Sequence, residues 1–345
     1  MTAASPASAA RPAATLSADV GGTWVRLRTS EGTGPAVRLP SPSLLNLPGR
    51  SVDELRRDMV ELLCGAAPPA ACAAISFGAA IDHLTGTVYG SAPLWGASAE
   101  PYDLAAALRH RRPDVTWILV NDVTAALADF VSAHARDGVR RVGYLTVSSG
   151  IAMRTADLTR RQIPVDEWGL QGEVGHLPLM TRTAELAGLT CECGERDHLA
   201  SVASGPGIAR AAERLGITAG ITGGEEDPEG TSALIRWLPG ALDARDPRAQ
   251  RLLYCCVEPI AHLIRTLWCV DPHLDLLGLG GGVVTGLGDH YTNELRRQLA
   301  AATSYADRGR SQRWLDDRLV CCGPDEVDGL RGAELIGRWD LGIAS

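Results

Sequence analysis

Four side chains in one short stretch of the sequence could bind a metal ion together. His176 ends the segment Gly-Glu-Val-Gly-His, and Cys191, Cys193 and His198 follow in Cys-Glu-Cys-Gly-Glu-Arg-Asp-His. Two thiolates and two imidazoles form a typical tetrahedral zinc set, and because they leave no coordination position open, the zinc would be structural. The alternative is two free thiols and two surface histidines, which the clustering disfavours.

A second group of residues could bind phosphates. Asp19 lies near the end of an apolar run and is followed by the turn-forming residues Gly21, Gly22 and Thr23. Glycines let the backbone approach a triphosphate closely, and the turn amides and the Thr23 hydroxyl can bond its oxygens. Asp19 could hold Mg²⁺ directly or through water. Read alone, the same residues are explained by an ordinary turn between two strands.

Asn121 and Asp122 follow an apolar run that is suited to a buried strand, and a helical pattern comes after them. In open α/β sheets, ligands collect outside the carboxyl ends of the strands. Asp122 could therefore accept the proton of an attacking hydroxyl, as an aspartate does in other phosphoryl transfers. The alternative is helix capping, because Asn and Asp are favoured at that position.

A glycine cluster, Gly280-Gly281-Gly282, follows a predicted strand. It could let an adenine or a ribose pack against bare backbone. The cluster does not match the G-x-G-x-x-G pattern in its usual setting, so a dinucleotide site is disfavoured.

The composition excludes several functional classes. All 33 basic residues are arginine, so the chain lacks the lysine that P-loop NTPases, protein kinases and Schiff-base enzymes need. A net charge of -8 disfavours nucleic acid and anionic membranes as partners, because both require a basic surface. We therefore expect a small-molecule ligand.

The same sequence predicts a cytoplasmic protein. No window reaches the roughly 18 uncharged apolar residues of a membrane span, and the first dozen residues lack the apolar stretch of a signal peptide. Nine cysteines, an odd number, do not suggest a disulfide framework.

Strands that alternate with helices predict two α/β lobes, over residues 14–130 and 131–327, the second containing the zinc loop. Residues 1–13 are Ala/Ser/Pro-rich and are expected to be a disordered lead-in. The acidic, Gly-rich stretch 218–232 is expected to be an exposed loop. Strands are predicted at 16–20, 24–28, 70–77, 115–120, 142–147 and 274–279, and helices at 51–64, 123–131, 247–269 and 328–340.

Taken in order, six motifs resemble the ROK family of sugar kinases. They are Asp19–Thr23, Asn121-Asp122, Leu145–Ile151, Glu173–His176, Cys191-x-Cys193-Gly and Leu279–Gly282. The resemblance implies an actin/hexokinase-like ATPase fold, in which two RNase H-like lobes close a cleft on ATP and sugar. It also implies that the last helix packs on the first lobe and that the protein is a homodimer.

The resemblance also implies roles for single residues. Asp122 would be the catalytic base, and Asn121, Glu173 and His176 would hydrogen-bond the sugar, with His176 also a zinc ligand. ATP and Mg²⁺ would be held by a larger set of residues, namely Asp19, Gly21, Gly22, Thr23, Ser149, Gly150, Gly280, Gly281 and Gly282.

Two departures from the family bear on the acceptor and the metal. The third zinc cysteine of the family is His198 here, which preserves a ligand. The usual leucine-glutamate pair is Leu199-Ala200, so a carboxylate that faces the anomeric end of the sugar in the family is missing. We therefore expect a pseudo-sugar acceptor, a C7 cyclitol of the valiolone type phosphorylated on its exocyclic primary hydroxyl. A glucose or hexose kinase is the alternative.

A third departure concerns the second phosphate loop, usually Gly-Thr-Gly-Ile-Gly-x-Gly but Ser148–Arg154 (Ser-Ser-Gly-Ile-Ala-Met-Arg) here. Side chains at three usual glycine positions are expected to crowd the phosphates, although Arg154 could add a phosphate contact. A catalytically inactive sugar sensor is therefore a further alternative.

Overall fold

The computed structural model describes residues 16–29, 36–91, 94–96, 100–165, 171–217, 231–301, 305, 311–338 and 342–344. The predicted lead-in and residues 218–230 of the predicted acidic loop lie outside this part of the chain. The chain forms two compact units. The first contains Met1–Asp129, Arg161–Gly169 and Asp328–Ser345, and the second contains Phe130–Arg160 and Leu170–Val327.

The first unit is built from strands and helices that alternate along the chain. In order they are β1 (Leu16–Val20), β2 (Trp24–Thr29), β3 (Val37–Pro40), α1 (Val52–Ala66), β4 (Cys72–Phe77), β5 (Ala80–Ile81), β6 (Thr87–Gly90), β7 (Tyr102–Asp103), α2 (Leu104–Arg111), β8 (Thr116–Asn121) and α3 (Asp122–His134), which runs past the end of the unit. The strand and helix predictions for this region are confirmed within a few residues.

The main sheet of the first unit has the order β3-β2-β1-β4-β8. Strands β1, β2 and β3 are antiparallel, whereas β1, β4 and β8 are parallel. Val20 is paired with Phe77, and Phe77 with Asn121. The carboxyl ends of the three parallel strands therefore meet at one edge of the sheet, the edge at which ligands collect in open α/β folds. Strands β5, β6 and β7 form a small separate sheet.

Local sequence explains how these elements begin. Ser51 and Glu54 form a capping box at the start of α1, in which each side chain bonds the other residue's backbone N–H. Helix α1 then buries Leu55, Met59 and Leu63 at helical spacing. All six residues of β4 are buried, as expected for a central parallel strand covered on both faces.

The second unit begins with the hairpin β9 (Arg141–Val147) and β10 (Ile151–Asp157), followed by β11 (Gln162–Pro164), which belongs to the first unit. The later elements are α4 (Ala200–Ala203), α5 (Gly205–Arg214), α6 (Thr231–Asp243), α7 (Pro247–Val270), β12 (Leu274–Gly280), α8 (Gly282–Ala300), α9 (Gln312–Asp316) and β13 (Leu319–Cys321). Short 3-10 turns span Val174–His176 and Ala184–Leu186.

Strands of the second unit lie in the order β13-β12-β9-β10, with an antiparallel hairpin followed by parallel strands. This repeats the arrangement of the first unit. Helix α7 is capped by Asp246 and has the length and apolar composition of a membrane span, but 61% of its apolar window is buried inside the protein. It is the core helix of this unit, and it carries Glu258 and Arg265.

Two last elements return the chain to the first unit: α10 (Gly329–Arg338) and β14 (Gly342–Ala344), which pairs with β11. Helix α10 packs against β1 and β4, as the predicted closing helix should. It crosses α3 closely, because a Cβ at Gly332 would lie 1.8 Å from the carbonyl oxygen of Ala125.

Candidate functional site

Asp19 is the centre of a charged network in the first unit. Its Oδ2 accepts hydrogen bonds from Nε (3.1 Å) and Nη2 (2.7 Å) of Arg26, and its Oδ1 accepts one from the buried Ser76 hydroxyl (2.7 Å). The third nitrogen of Arg26 binds Asp328 at 2.7 Å. Burial alone would raise the pKa of Asp328, but its bonds to Arg26 outweigh this and lower it. The predicted Mg²⁺ ligand, Asp19, is therefore already paired with an arginine that it shares with Asp328.

The Gly21–Thr23 turn is anchored through its carbonyl groups. Ser43 donates its hydroxyl to the carbonyl of Gly22 (2.6 Å), and the side-chain amide of Asn46 donates to that of Thr23 (2.8 Å). These bonds fix the turn from one side. The side chain of Thr23 is exposed, so its hydroxyl remains available for a ligand.

Asp122 lies beside this turn. A Cβ built on Gly78 would be 3.6 Å from Asp122 Oδ2 and 3.8 Å from the Cα of Gly21. The missing side chain at Gly78 therefore leaves room between the candidate base and the candidate phosphate turn. Asp122 is exposed, and its Oδ1 also accepts the N–H of Val123 (2.9 Å).

Asn121 is buried and already uses both ends of its amide. Its nitrogen donates to the carbonyl of Ala79 (2.8 Å), and its Oδ1 accepts the N–H of Val123 (2.9 Å), which caps α3. The structure thus gives Asn121 the capping role that the sequence left open as an alternative. Its sugar contact stays a prediction.

In the second unit, the β9–β10 turn lies against two helix N-termini. The carbonyl of Ser148 accepts the N–H of Gly205 (2.8 Å), the first residue of α5. A Cβ at Gly282, the first residue of α8, would lie 3.4 Å from the hydroxyl of Ser148. Ser149 and Gly150 are exposed between them. The first N–H groups of α5 are taken, because Gly205 donates to Ser148 and Gly207 donates to the Ser204 hydroxyl. Helix α8 has no side-chain cap, so its N–H groups and positive dipole end favour phosphate here.

The three glycines at the junction of β12 and α8 differ in what they can do. A Cβ at Gly280 would lie 2.2 Å from the Tyr144 hydroxyl, and one at Gly281 would lie 2.5 Å from the Val147 carbonyl. Gly281 also has a φ of 100°, which favours glycine. Gly280 is buried and serves packing against β9, whereas Gly282 is exposed and stays a candidate for nucleotide contact.

The expected phosphate contact of Arg154 is wrong. Arg154 is 2% exposed and donates to the carbonyls of Gln171 and Met153. Gly172 follows Gln171 directly, and it has a φ of 77° and no space for a Cβ. The arginine therefore supports the loop that contains Glu173, and it does not crowd the β9–β10 turn.

The four candidate zinc ligands converge within the second unit. All four donor atoms lie within 4.8 Å of one another. Nδ1 of His176 is 3.3 Å from Nδ1 of His198, which is itself 3.3 Å from the sulfur of Cys193; the sulfur of Cys191 is 3.9 Å from His176. Tetrahedral zinc with ordinary bond lengths requires about 3.3 Å between nitrogens and about 3.6 Å between nitrogen and sulfur. The donor set fits zinc.

Backbone bonds shape this cysteine loop. The N–H of Gly194 donates to the carbonyl of Cys191 (2.9 Å), and the N–H of Cys191 donates to the backbone carbonyl of Glu195 (2.7 Å). Gly194 has a φ of 95°, which the tight turn from Cys191 to Gly194 requires. Burial raises the pKa of Cys191, and burial together with His198 lowers that of His176. A bound cation would favour the thiolate that a ligand must be.

Glu173 lies three residues before His176, one of the four cluster residues, and the contact of both with the acceptor stays a prediction. Glu173 is half-buried and precedes the 3-10 turn that ends at His176. Ala200, at the glutamate position of the family, is 4% exposed and packs 3.4 Å from the Cβ position of Gly175. The methyl group of Ala200 is therefore enclosed beside the Val174–His176 turn.

Sequence reasoning missed the residues that hold the predicted ones. Arg26 could have been found, because a hairpin around Gly21–Thr23 pairs it with Asp19. Nothing in the sequence links Asp328 to Arg26, since 302 positions separate them. The roles of Ser76 and Gly78 are evident only once the order of the strands in the sheet is known.

The sequence profile of the ROK family matches residues 51–333. The chain belongs to the ROK family. A relative described as 2-epi-5-epi-valiolone 7-kinase, from Actinoplanes sp., is 41% identical over 334 residues, which cover 92% of this chain and 91% of that protein. A C(7)-cyclitol 7-kinase of Streptomyces hygroscopicus subsp. jinggangensis is 29% identical over 305 residues, 82% of each chain.

The solved structure of a ROK hexokinase from Thermus thermophilus has the same fold. It superposes with a TM-score of 0.66 at 21% identity, and the match covers 93% of this chain and 96% of the hexokinase. The predicted actin/hexokinase-like α/β fold of this ROK protein is confirmed.

Proposed function

We propose that this ROK protein is an ATP-dependent kinase that phosphorylates the exocyclic primary hydroxyl of a C7 cyclitol of the valiolone type. The 41% identity to a 2-epi-5-epi-valiolone 7-kinase, over nearly all of both chains, carries the proposal. The relatives named as C(7)-cyclitol 7-kinases support the same acceptor class.

In this reaction Asp122 accepts the proton of the acceptor hydroxyl. The hydroxyl oxygen then bonds to the γ-phosphorus of ATP, the bond to the bridging oxygen breaks, and ADP leaves. Phosphoryl transfer depends mainly on positioning and charge neutralisation. The exposure of Asp122 and its place beside the Gly21 turn support its role as base.

Mg²⁺ would neutralise the phosphate oxygens when MgATP is bound. Both Asp19 oxygens already accept bonds from Arg26 and Ser76, which favours a contact to the ion through water. Thr23 and the Gly21–Gly22 amides would bind phosphate oxygens. In the second unit, Ser149 and Gly150 between the N-termini of α5 and α8 would do the same.

The acceptor end of the site supports a cyclitol. The family glutamate at position 200 is an alanine, so no carboxylate accepts a bond from an anomeric hydroxyl there. A cyclitol ring has a carbon in place of the ring oxygen and no such hemiacetal hydroxyl. A carboxylate is useful only against a hydrogen-bond donor, and a ketone has none. A hexose kinase would need another acceptor group at this end.

Zinc bound to His176, Cys191, Cys193 and His198 would be structural. Four protein donors would complete a tetrahedral coordination, so no position would remain for substrate or water. Its effect would be to hold the loop that contains Glu173 and His176, the predicted acceptor ligands. Homodimer formation and a cytoplasmic location stay predictions.

The alternative of an inactive sugar sensor rested on the altered Ser148–Arg154 loop. Arg154 is buried away from the phosphate turn, and Ser149 and Gly150 are exposed in it. The retained Asp19 and Asp122 favour an enzyme.

The test is ADP release from MgATP with 2-epi-5-epi-valiolone, glucose, mannose, fructose and N-acetylmannosamine. We expect turnover with the cyclitol and a phosphorus NMR signal coupled to its primary CH₂. Ala200→Glu should lower cyclitol turnover, with Ala203→Ser, a buried neighbour on α4, as the matched control. Glucose turnover above that of the cyclitol would overturn the acceptor assignment.

A further inference from the structure

We propose that His83 is a positioning residue for Asp122: its Nε2 atom accepts the backbone N–H of Asn121 and thereby fixes the junction between β8 and α3. This inference rests on the proposed function. None of the sequence motifs includes His83.

The turn that presents His83 is itself fixed. Asp82 is 5% exposed, and its Oδ1 accepts the N–H groups of Leu84 (2.8 Å) and Thr85 (3.2 Å). Its Oδ2 accepts the Thr85 hydroxyl at 2.7 Å. Because these bonds close the loop between β5 and β6 on both sides of His83, the imidazole is held by a rigid backbone.

The contacts of His83 fix its protonation state. Its Nε2 lies 3.3 Å from the backbone nitrogen of Asn121, whose N–H donates to it. A backbone N–H can only donate. Nε2 must therefore carry the lone pair, and the proton of the neutral ring sits on Nδ1. The hydroxyl of Thr124, fully buried on the first turn of α3, is also 3.3 Å from Nε2.

Asp122 lies between the two residues that His83 contacts. Asn121 is further tied to Ala79 through its side chain, so the segment before β6 holds the β8–α3 junction at three points. Removing the acceptor would leave the Asn121 N–H buried without a partner or shift the junction. A displacement of about 1 Å at a reacting group can cost about 100-fold in rate.

Two substitutions of equal polarity separate this role from general packing. In His83→Gln, the side-chain oxygen reaches the position of Nε2, whereas in His83→Asn it reaches only that of Nδ1. We expect His83→Gln to keep kcat within about threefold of wild type. His83→Asn should lower kcat about 10- to 100-fold, with KM for MgATP and for acceptor within about twofold.

Hydrogen exchange of the peptide that contains Asn121 gives a second readout that needs no activity. We expect faster exchange at this amide in His83→Asn than in wild type or His83→Gln. Equal kcat and exchange in both variants, or an equal loss in both, would overturn the assignment, as would a loss confined to KM. A wild type inert toward every acceptor would refute the proposed function, and the exchange experiment would still decide the role of His83.

Discussion

Two regions of the molecule handle their polar groups in opposite ways. One is the charged edge of the first unit, which contains Asp19, Arg26, Asp129, Asp328 and Arg331, and the other is the candidate zinc cluster of the second unit. At the edge, Asp19 and Asp328 share the single cation of Arg26, and Asp129 accepts two bonds from Arg331 (3.1 and 2.9 Å). In the cluster, two thiols and two imidazoles face one another with no protein cation among the donors that converge. The edge pairs its carboxylates with arginines, whereas the cluster brings together donors that could hold an ion. We therefore expect metal removal to destabilise the second unit and to leave the stability of the first unit unchanged.

The largest effect we expect is on catalysis, at the edge. Asp122→Asn should lower kcat by about 10³-fold, because general-base catalysis contributes roughly 10²- to 10⁴-fold. The unfolding midpoint should barely change, since Asn is also favoured at a helix start. Steady-state kinetics and a thermal melt check both. A kcat near that of wild type would remove Asp122 from the mechanism.

Zinc removal should have the next largest effect, on stability. A metal present at about 1,000 times its Kd contributes roughly 4 kcal/mol, so its loss should lower Tm by roughly 10 °C in a domain of this size. A zinc-selective chelator followed by calorimetry and elemental analysis tests this, with Mg²⁺ omission as the comparison.

Cys193→Ser should reproduce the effect of the chelator, and Cys269→Ser, at an exposed free cysteine outside the cluster, should not. An unchanged Tm after complete metal loss would show that the cluster needs no ion.

The contrast between the regions also explains what the sequence could predict. The candidate zinc ligands are close in sequence, and tight turns such as that at Gly194 bring them together, so residue order alone predicted that they converge. The strands, the hairpin at Gly21–Thr23 and the closing helix followed from hydrophobic period and turn residues. The predicted phosphate contact of Arg154 was wrong, because its place in the Ser148–Arg154 loop suggested a side chain that faces the phosphates. Whether an arginine turns into the core depends on packing by distant segments, here Gln171–Gly172.

A substitution of Arg26 tests whether the protein's own charged residues stabilise the edge. Arg26→Met should leave the partly buried carboxylates of Asp19 and Asp328 without their shared cation and destabilise the fold by about 1–2 kcal/mol, solvent screening included. Arg28→Met, on the same strand, should cost under about 0.5 kcal/mol, because Arg28 reaches Glu334 only at 3.7 Å. Urea unfolding distinguishes them. Equal losses would mean that packing, and not the charge network, is measured.

The smallest effect is the pH dependence of that network. The pKa of Asp328 is lower in the folded protein than in the unfolded chain, so its stabilising contribution is present above the unfolded value of about 4 and is lost as pH falls through the folded value. The difference in unfolding free energy between wild type and Arg26→Met should therefore narrow below about pH 4. A constant difference from pH 7 to pH 3 would contradict this assignment.

The close packing of α10 has a consequence for protein synthesis. This helix comes from residues 329–338 but covers β1 and β4, which leave the ribosome first. The first unit therefore cannot be completed until nearly the whole chain has been translated, whereas most of the second unit is contiguous and can fold earlier. A nascent chain that stalls before Gly329 exposes the apolar face of β1 and β4, where chaperones would bind.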